Sequence, residues 1–320
     1  MIEDIIDKIL YANNICIISH DGPDADAIGS SLALEDSLKQ LGKDVTYILQ
    51  TNMNDAFKLI AGERIKQKPK DNYDLVFVLD CSCFDRVQSI DCTKLGKFVI
   101  VIDHHISSNN EGNICWRENV HSTGVLVYQL LLELEKKTKF RINSFIATNL
   151  FMSIRGDTNN FRIINNNFDI YKMASELMQY NPDIQLINEI EKYNISFVRL
   201  LGRTLNNLVY NCNSEIAYLI ITKDEIDACG SNFNDASHVI DLLKNVKKVK
   251  VIYLIIKNKN RLSIKARSDF VDVSKIMAEL GGGGHSAAAG LSNYSCKDIY
   301  TFIDSLTKKT LRHINKDTSF

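Results

Sequence analysis

Four short apolar runs punctuate the first hundred residues: NICIIS (14–19), VTYIL (45–49), DLVFVLD (74–80) and KFVIVID (97–103). Unbroken Val/Ile-rich runs of this length predict strands buried on both faces rather than half-exposed ones. Between and after them the spacing changes to that of helices. AIGSSLALEDSLKQL (27–41) carries apolar residues at helical intervals and stops at Gly42, and STGVLVYQLLLELEKK (122–137) and NSFIATNLFMSI (143–154) read the same way. Strands alternating with helices predict a parallel sheet with helical crossovers. Residues 183–211 are polar and helix-prone, as a linking helix would be. From residue 214 the pattern restarts, with strands expected in EIAYLIIT, KVIYLIIK and RLSIKARS. A helix in VSKIMAEL then runs into GGGGH (281–285), and a last helix lies near DIYTFIDSLTKKTL. The expected fold is α/β: a doubly wound, mostly parallel N-terminal sheet over 1–185, a helical linker over 186–213 and a smaller α/β domain over 214–320.

A chain of 320 residues suits two domains at about 150 residues each. Hydrophobic residues make up 45% and charged residues 24%, enough for full cores in both. The net charge of −1, from 38 basic and 39 acidic residues, excludes a global pull toward long polynucleotides or anionic membranes. A small or short anionic substrate held locally remains compatible. The N-terminal MIEDIIDKILYANN lacks a basic segment followed by an apolar core, and no run of about 18 apolar residues occurs. The expectation is therefore a cytoplasmic protein with no membrane partner. Eight cysteines in so long a chain, among them Cys16, Cys81 and Cys83 in or beside apolar runs, read as reduced, buried small hydrophobes. The CSC triplet has no second pair at zinc spacing.

The chemistry gathers at the strand ends. The first strand runs into SHDGPDADAIGS, with His20, Asp24 and Asp26; DLVFVLD ends in Asp80; KFVIVID ends in Asp103-His104-His105; and a later helix ends in Asp157 of RGDTNNF. Ligands in open parallel sheets bind outside the carboxyl ends of the strands, so these groups converge on one crevice. Five aspartates and three histidines cannot share that volume as bare charges without costly protonation. Divalent cations resolve the conflict. Mixed imidazole and carboxylate ligands suit Mn²⁺, with Mg²⁺ or Co²⁺ as alternatives, and the ligand count suffices for two ions clamping a phosphoryl displacement.

SHDGPDADAIGS, VLDCSCFDR, VIDHH and GDTNNFR resemble, in order, the four motifs of the DHH phosphoesterase superfamily. KARSDFVDVSKIMAELGGGGHSAAAG resembles the signature of the DHH-associated C-terminal domain. A two-domain chain of this length is similar to the superfamily's group of oligoribonucleases and 3′-phosphoadenosine 5′-phosphate phosphatases. The resemblance implies that His20 and Asp24 hold one cation, that Asp26, His104 and Asp157 hold a second, and that Asp80 bridges both. It implies that Asp103 orients a neighbouring histidine and that His105 faces the scissile phosphate. Arg86 would steady its loop or the substrate. In the C-terminal domain Gly282, Gly283, Gly284 and His285 would offer an anion site, with Arg267 and Ser268 gripping a second phosphate. Substrate would lie in a cleft between the domains.

The implied activity is hydrolysis of short oligoribonucleotides to mononucleotides, and of 3′-phosphoadenosine 5′-phosphate to AMP, by a hydroxide activated by two metals. Hydrolysis of cyclic or linear dinucleotides is the nearest alternative, and a non-catalytic metal- or nucleotide-binding module the more distant one. A homodimer is a further family-level expectation. The chain departs from the usual motifs at Ala25, where Gly is common, at Asn159, where Gly usually follows the Thr, and at Cys81-Ser82. None of these is a proposed ligand. His121 and His238 belong to no motif and read as structural. The basic LTKKTLRHINK segment reads as a solvated helix face.

Overall fold

A computed structural model describes residues 1–320 except 50–52, 54, 67, 71, 88–89, 106–110, 163, 165–167, 212–214, 244–245, 285 and 318–320. The chain divides into two compact units, residues 1–192 and 193–320.

The first unit runs α1 (Ile2–Tyr11), β1 (Asn14–Ser19), α2 (Ala25–Gln40), β2 (Asp44–Ile48), α3 (Lys58–Ala61), β3 (Ile65–Lys66), β4 (Leu75–Leu79), α4 (Cys92–Leu95), β5 (Val99–Asp103), β6 (Ile114–Arg117), α5 (Thr123–Lys137), α6 (Ser144–Asp157), α7 (Ile170–Met178) and α8 (Ile184–Ile190). Its sheet has the order β3-β2-β1-β4-β5-β6, every pairing parallel. Alternation along each strand explains the unbroken apolar runs. Ile15 and Ile17 join the core formed with α1, α2, α5 and α6, whereas Cys16 and Ile18 face a thinner cover that includes Cys81, Val87 and Cys92. Strand order reverses between β1 and β4, the switch point at which open α/β sheets leave a crevice. The short strands β3 and β6, which carry no strong apolar signal, complete the two edges.

Helix α2 begins at an Asp24 cap, whose carboxylate accepts the amides of Asp26 and Ala27. It stops where Gly42 adopts φ +76°, a conformation that glycine enters without a Cβ penalty. The segment expected as a linker over 186–213 is divided between two cores. Ile187 and Ile190 of α8 pack into the first unit.

The second unit comprises α9 (Ile195–Asn206), β7 (Leu208–Asn211), β8 (Ile216–Thr222), α10 (Lys223–Ala228), α11 (Phe233–Leu243), β9 (Val251–Asn258), β10 (Arg261–Arg267), α12 (Val273–Ala278), β11 (Gly283–Gly284), β12 (Ala288–Ser295) and α13 (Ile299–Asp317). Its sheet, ordered β11-β12-β10-β9-β8-β7, is mixed: β8 and β9 run parallel and the other neighbours antiparallel. Phe197 and Leu200 of α9 pack with α10 and α11 on one face, and α12 and α13 cover the other. No described cysteine forms a disulfide. Cys16 and Cys81 are buried, but Cys83 is half-buried because its loop has already left the sheet.

Candidate metal centre at the switch point

His20 follows β1 and Asp80 follows β4, so the two stand side by side across the switch point. His20 Nε2 lies 3.6 Å from Asp80 Oδ2 and 3.9 Å from Asp24 Oδ2. On the other side, His104 Nε2 lies 3.5 Å from Asp80 Oδ1, 3.1 Å from Asp157 Oδ2 and 3.9 Å from Asp26 Oδ2. The two oxygens of Asp80 thus face two separate histidine–carboxylate groups. Asp80 occupies φ +54°, a left-handed conformation that costs a non-glycine residue about 1 kcal/mol or more and commonly marks a functional turn.

Both imidazoles are fixed by main-chain acceptors. His20 Nδ1 meets the Asp21 carbonyl at 2.9 Å, and His104 Nδ1 meets the Val120 carbonyl at 3.3 Å. A carbonyl oxygen only accepts, so each Nδ1 carries the proton and each Nε2 turns toward the carboxylates. Asp103, fully buried at the end of β5, accepts from His105 Nδ1 at 2.7 Å through Oδ1 and from Arg117 Nε at 3.2 Å through Oδ2.

Asp26 is fully buried, and donors that are inconspicuous in the sequence hold it. Its Oδ2 accepts the Thr123 amide at 2.7 Å; its Oδ1 accepts the Gly124 amide at 3.0 Å and the Ser153 hydroxyl at 2.6 Å. Those amides open α5, where the helix dipole favours an anion. The Thr123 hydroxyl also donates to Asp80 Oδ1 at 3.1 Å. A Cβ at Gly124 would fall 1.9 Å from Ser153 Oγ, so only glycine leaves room for this cradle. In the sequence the STG run at 122–124 reads only as a helix start.

Crowding shifts the protons. Burial, with Asp80 and Asp157 nearby, drives the Asp26 carboxyl well above its ordinary range. Burial and the charges of Asp24 and Asp80 push Asp157 up to about 6, against the pull of its bond to His104. Burial also pushes Asp80 up, but the His20 bond and the charges of His104, His20 and His105 outweigh it, and the net direction is down. For His104, burial acts downward; the bond to Asp157 and the charges of Asp26, Asp157 and Asp80 together hold it up at about 10. The group therefore retains protons that a divalent cation would displace. Among the described residues, three sets of ligand atoms lie close enough to hold an ion: His20, Asp24 and Asp80; Asp26, His104 and Asp157; and Asp80, His104 and His105. Oriented imidazole nitrogens beside buried, mutually repelling carboxylates are a donor set that fits divalent metal.

Arg86 serves its loop through its backbone: its carbonyl accepts the Asp21 amide at 2.9 Å. Its guanidinium has no hydrogen-bond or ion-pair partner among the described residues.

In the second unit, residues of the expected anion site are engaged in the fold. Ser268 is buried; its hydroxyl donates to the Lys250 carbonyl at 2.7 Å and accepts the amides of Phe270 and Val271. That full complement closes a turn and leaves no donor for a phosphate. Arg267 is paired with Asp241 at 2.6 Å. Gly283 and Gly284 form an edge strand on Gly290 and Ala289 rather than a free loop. A Cβ at Gly282 would meet the Gly290 carbonyl at 2.4 Å, whereas Gly283 has nothing within 4 Å. Close packing thus explains Gly282. His285 lies outside the described residues.

Comparison with known proteins covers both units. Residues 14–154 match the DHH family N-terminal domain, and residues 205–310 match the DHHA1 domain. The chain thus carries a DHH N-terminal domain and a DHHA1 domain. It is 24% identical over 296 residues to the bifunctional oligoribonuclease and PAP phosphatase NrnA of Bacillus subtilis, covering 91% of this chain and 93% of that protein. It is 26% identical over 317 residues to the protein of the same name from Mycoplasma genitalium, covering 96% and 97%. Among solved structures, an exopolyphosphatase-related protein from Bacteroides fragilis shares the fold, with a TM-score of 0.85 at 24% identity over 98% of this chain and 95% of that one. No described helix is long and apolar enough to cross a membrane.

Proposed function

We propose that this protein is a metal-dependent phosphoesterase that hydrolyses short oligoribonucleotides to mononucleotides and removes the 3′-phosphate of 3′-phosphoadenosine 5′-phosphate. The observation that carries the reading is Asp80 standing between the His20 and His104 groups, one oxygen toward each. His20, Asp24 and Asp80 would hold one divalent ion, and Asp26, His104, Asp157 and Asp80 a second, Mn²⁺ being the first candidate for a set mixing imidazole with carboxylate. Bound there, such ions supply Lewis acidity toward a phosphoryl group and an activated water.

The chain's own groups do the rest. His20 and His104 keep their protons on Nδ1 and present Nε2 to the site. Thr123, Gly124 and Ser153 hold Asp26 in place before any ligand arrives. Asp103 fixes His105 through Nδ1, and the opposite ring nitrogen would place a proton near a leaving oxygen. Arg86, unpaired among the described side chains, is available to a substrate phosphate. The near-zero net charge favours short substrates over long polymers. Relatives in Bacillus subtilis and Mycoplasma genitalium bear the name of this pair of activities.

Product analysis of end-labelled RNAs of two to ten nucleotides, with Mn²⁺ and then with EDTA, tests the reading, run beside phosphate release from 3′-phosphoadenosine 5′-phosphate. Mononucleotides from the shortest RNAs, lost on chelation and absent from Asp80→Asn, are expected. Full activity in EDTA, or in Asp80→Asn, would refute it.

A further inference from the structure

Arg117 belongs to none of the motifs above, yet it touches two segments of the site at once. It ends β6, directly opposite Asp103 in the parallel register of β5 and β6, so the two side chains leave the sheet on the same face. Its Nε donates to Asp103 Oδ2 at 3.2 Å, and its terminal Nη2 donates to the Ser82 carbonyl at 3.4 Å. Asp103 holds His105 through its other oxygen, with the His105 amide also directed to it at 3.3 Å. His105 Nδ1 in turn stands 3.7 Å from Asp80 Oδ1, and Ser82 is two residues beyond Asp80. The contacts close a ring: Arg117 to Asp103, Asp103 to His105, His105 beside Asp80, and the chain from Asp80 through Cys81 to Ser82 back to Arg117.

We propose that Arg117 is a positioning residue for the reaction assigned above: it sets the rotamer of Asp103, and so the placement of the His105 ring, relative to Asp80. The proposal rests on the phosphoesterase reading for its kinetic arm only. A guanidinium is suited to the task because its planar fork reaches two acceptors in fixed directions. The Arg117 side chain is only 12% exposed, and Asp103 is fully buried. The fork is therefore held by packing, and the carboxylate has no bulk water to reorient toward. A bland alternative is that Arg117 only neutralises a buried carboxylate. Arg117→Lys separates the two, since an ammonium preserves the charge but is a point donor that cannot span Asp103 and Ser82 together.

The test compares wild type, Arg117→Lys and Arg117→Gln in three measurements. Kinetics with a dinucleotide and Mn²⁺ should show kcat reduced about 10-fold or more in both variants with KM within twofold, as misplacement of a reacting group does. Mn²⁺ titration and thermal unfolding should show Arg117→Lys close to wild type. Histidine-selective ¹⁵N NMR of the Mg²⁺-loaded protein should show the His105 Nδ1–H signal shifted or broadened in Arg117→Lys, with the His20 and His104 signals unmoved. Wild-type kcat in Arg117→Lys would reduce Arg117 to a charge neutraliser and overturn the proposal. A kcat loss matched by equal losses of Mn²⁺ affinity and thermal stability would assign it a purely structural role. An unaltered His105 signal would also overturn it, and that arm holds even if wild type fails to cleave RNA, an outcome that would sink the functional reading alone.

Discussion

The amide of Thr123 donates to Asp26 Oδ2 across 2.7 Å although 97 residues separate them in the chain, and the hydroxyl of the same threonine reaches Asp80 Oδ1 at 3.1 Å. One residue in the first turn of α5 therefore orients two of the carboxylates that face His104. Thr123→Val keeps the amide and removes the hydroxyl. Loss of one hydrogen bond to a charged acceptor is worth about 1.5–3 kcal/mol. The expected result is an activity loss of about 10-fold or more, with the Asp26 cradle and the far-UV spectrum intact. Steady-state kinetics beside circular dichroism checks it, and undiminished turnover would remove Asp80 orientation from the role of Thr123.

Gly124→Ala inserts a methyl group 1.9 Å from Ser153 Oγ. Overpacking of this kind costs about 1–3 kcal/mol, and here it also forces apart the donors of Asp26. Urea denaturation should show the lowered stability, and isothermal titration should show weakened binding of the second Mn²⁺ equivalent. A variant with both quantities unchanged would mean that α5 and α6 have slack at this contact.

Proton and metal compete for His104. Its folded-state value near 10 stands above the ordinary 6.5. A histidine raised in this way stabilises the metal-free fold fully below about pH 6.5, and that contribution is lost as the pH rises toward 10. In EDTA the thermal midpoint should therefore fall between pH 7 and 10, and His104→Gln should flatten the slope. Mn²⁺ must displace the same proton, so its stabilising effect should grow with pH over that window, with proton release measurable in weakly buffered solution. A midpoint rise given by Mn²⁺ that is constant with pH would contradict the exchange.

In the second unit the hydroxyl of Ser268 is a turn-former. Ser268→Ala leaves the Lys250 carbonyl and the amides of Phe270 and Val271 without their partner, at about 1–3 kcal/mol. Denaturation of the variant should show that loss while KM for a dinucleotide stays within twofold of wild type. A large rise in KM with unchanged stability would return Ser268 to the substrate.

Glycines in GGGGH divide by their surroundings. Gly283→Ala should be neutral in stability because nothing stands within 4 Å of the added carbon, whereas Gly282→Ala drives it to 2.4 Å from the Gly290 carbonyl. Differential scanning calorimetry of the two variants should separate them; equal midpoints would mean that β11 is not held against β12 as described.

Much of this arrangement was readable from residue order. The unbroken runs of β1, β4 and β5 declared strands buried on both faces, and a sheet of such strands puts their carboxyl ends together, so His20, Asp80 and the Asp103-His104-His105 triplet had to meet. Strands of two to four residues, such as β3 and β11, were not readable because so short a segment shows no period. Glycine runs are ambiguous for a related reason: close packing and loop freedom ask for the same residue.

By itself, the order of residues determined which charged side chains converge, because chain direction and strand burial dictate where each strand ends. It could not determine what holds them. Thr123, Gly124, Ser153 and Arg117 are ordinary residues outside the motifs, and the donors among them act through directional bonds of about 3 Å. Such bonds exist only once α5, α6 and β6 have packed against the site, so only the tertiary structure could select these partners.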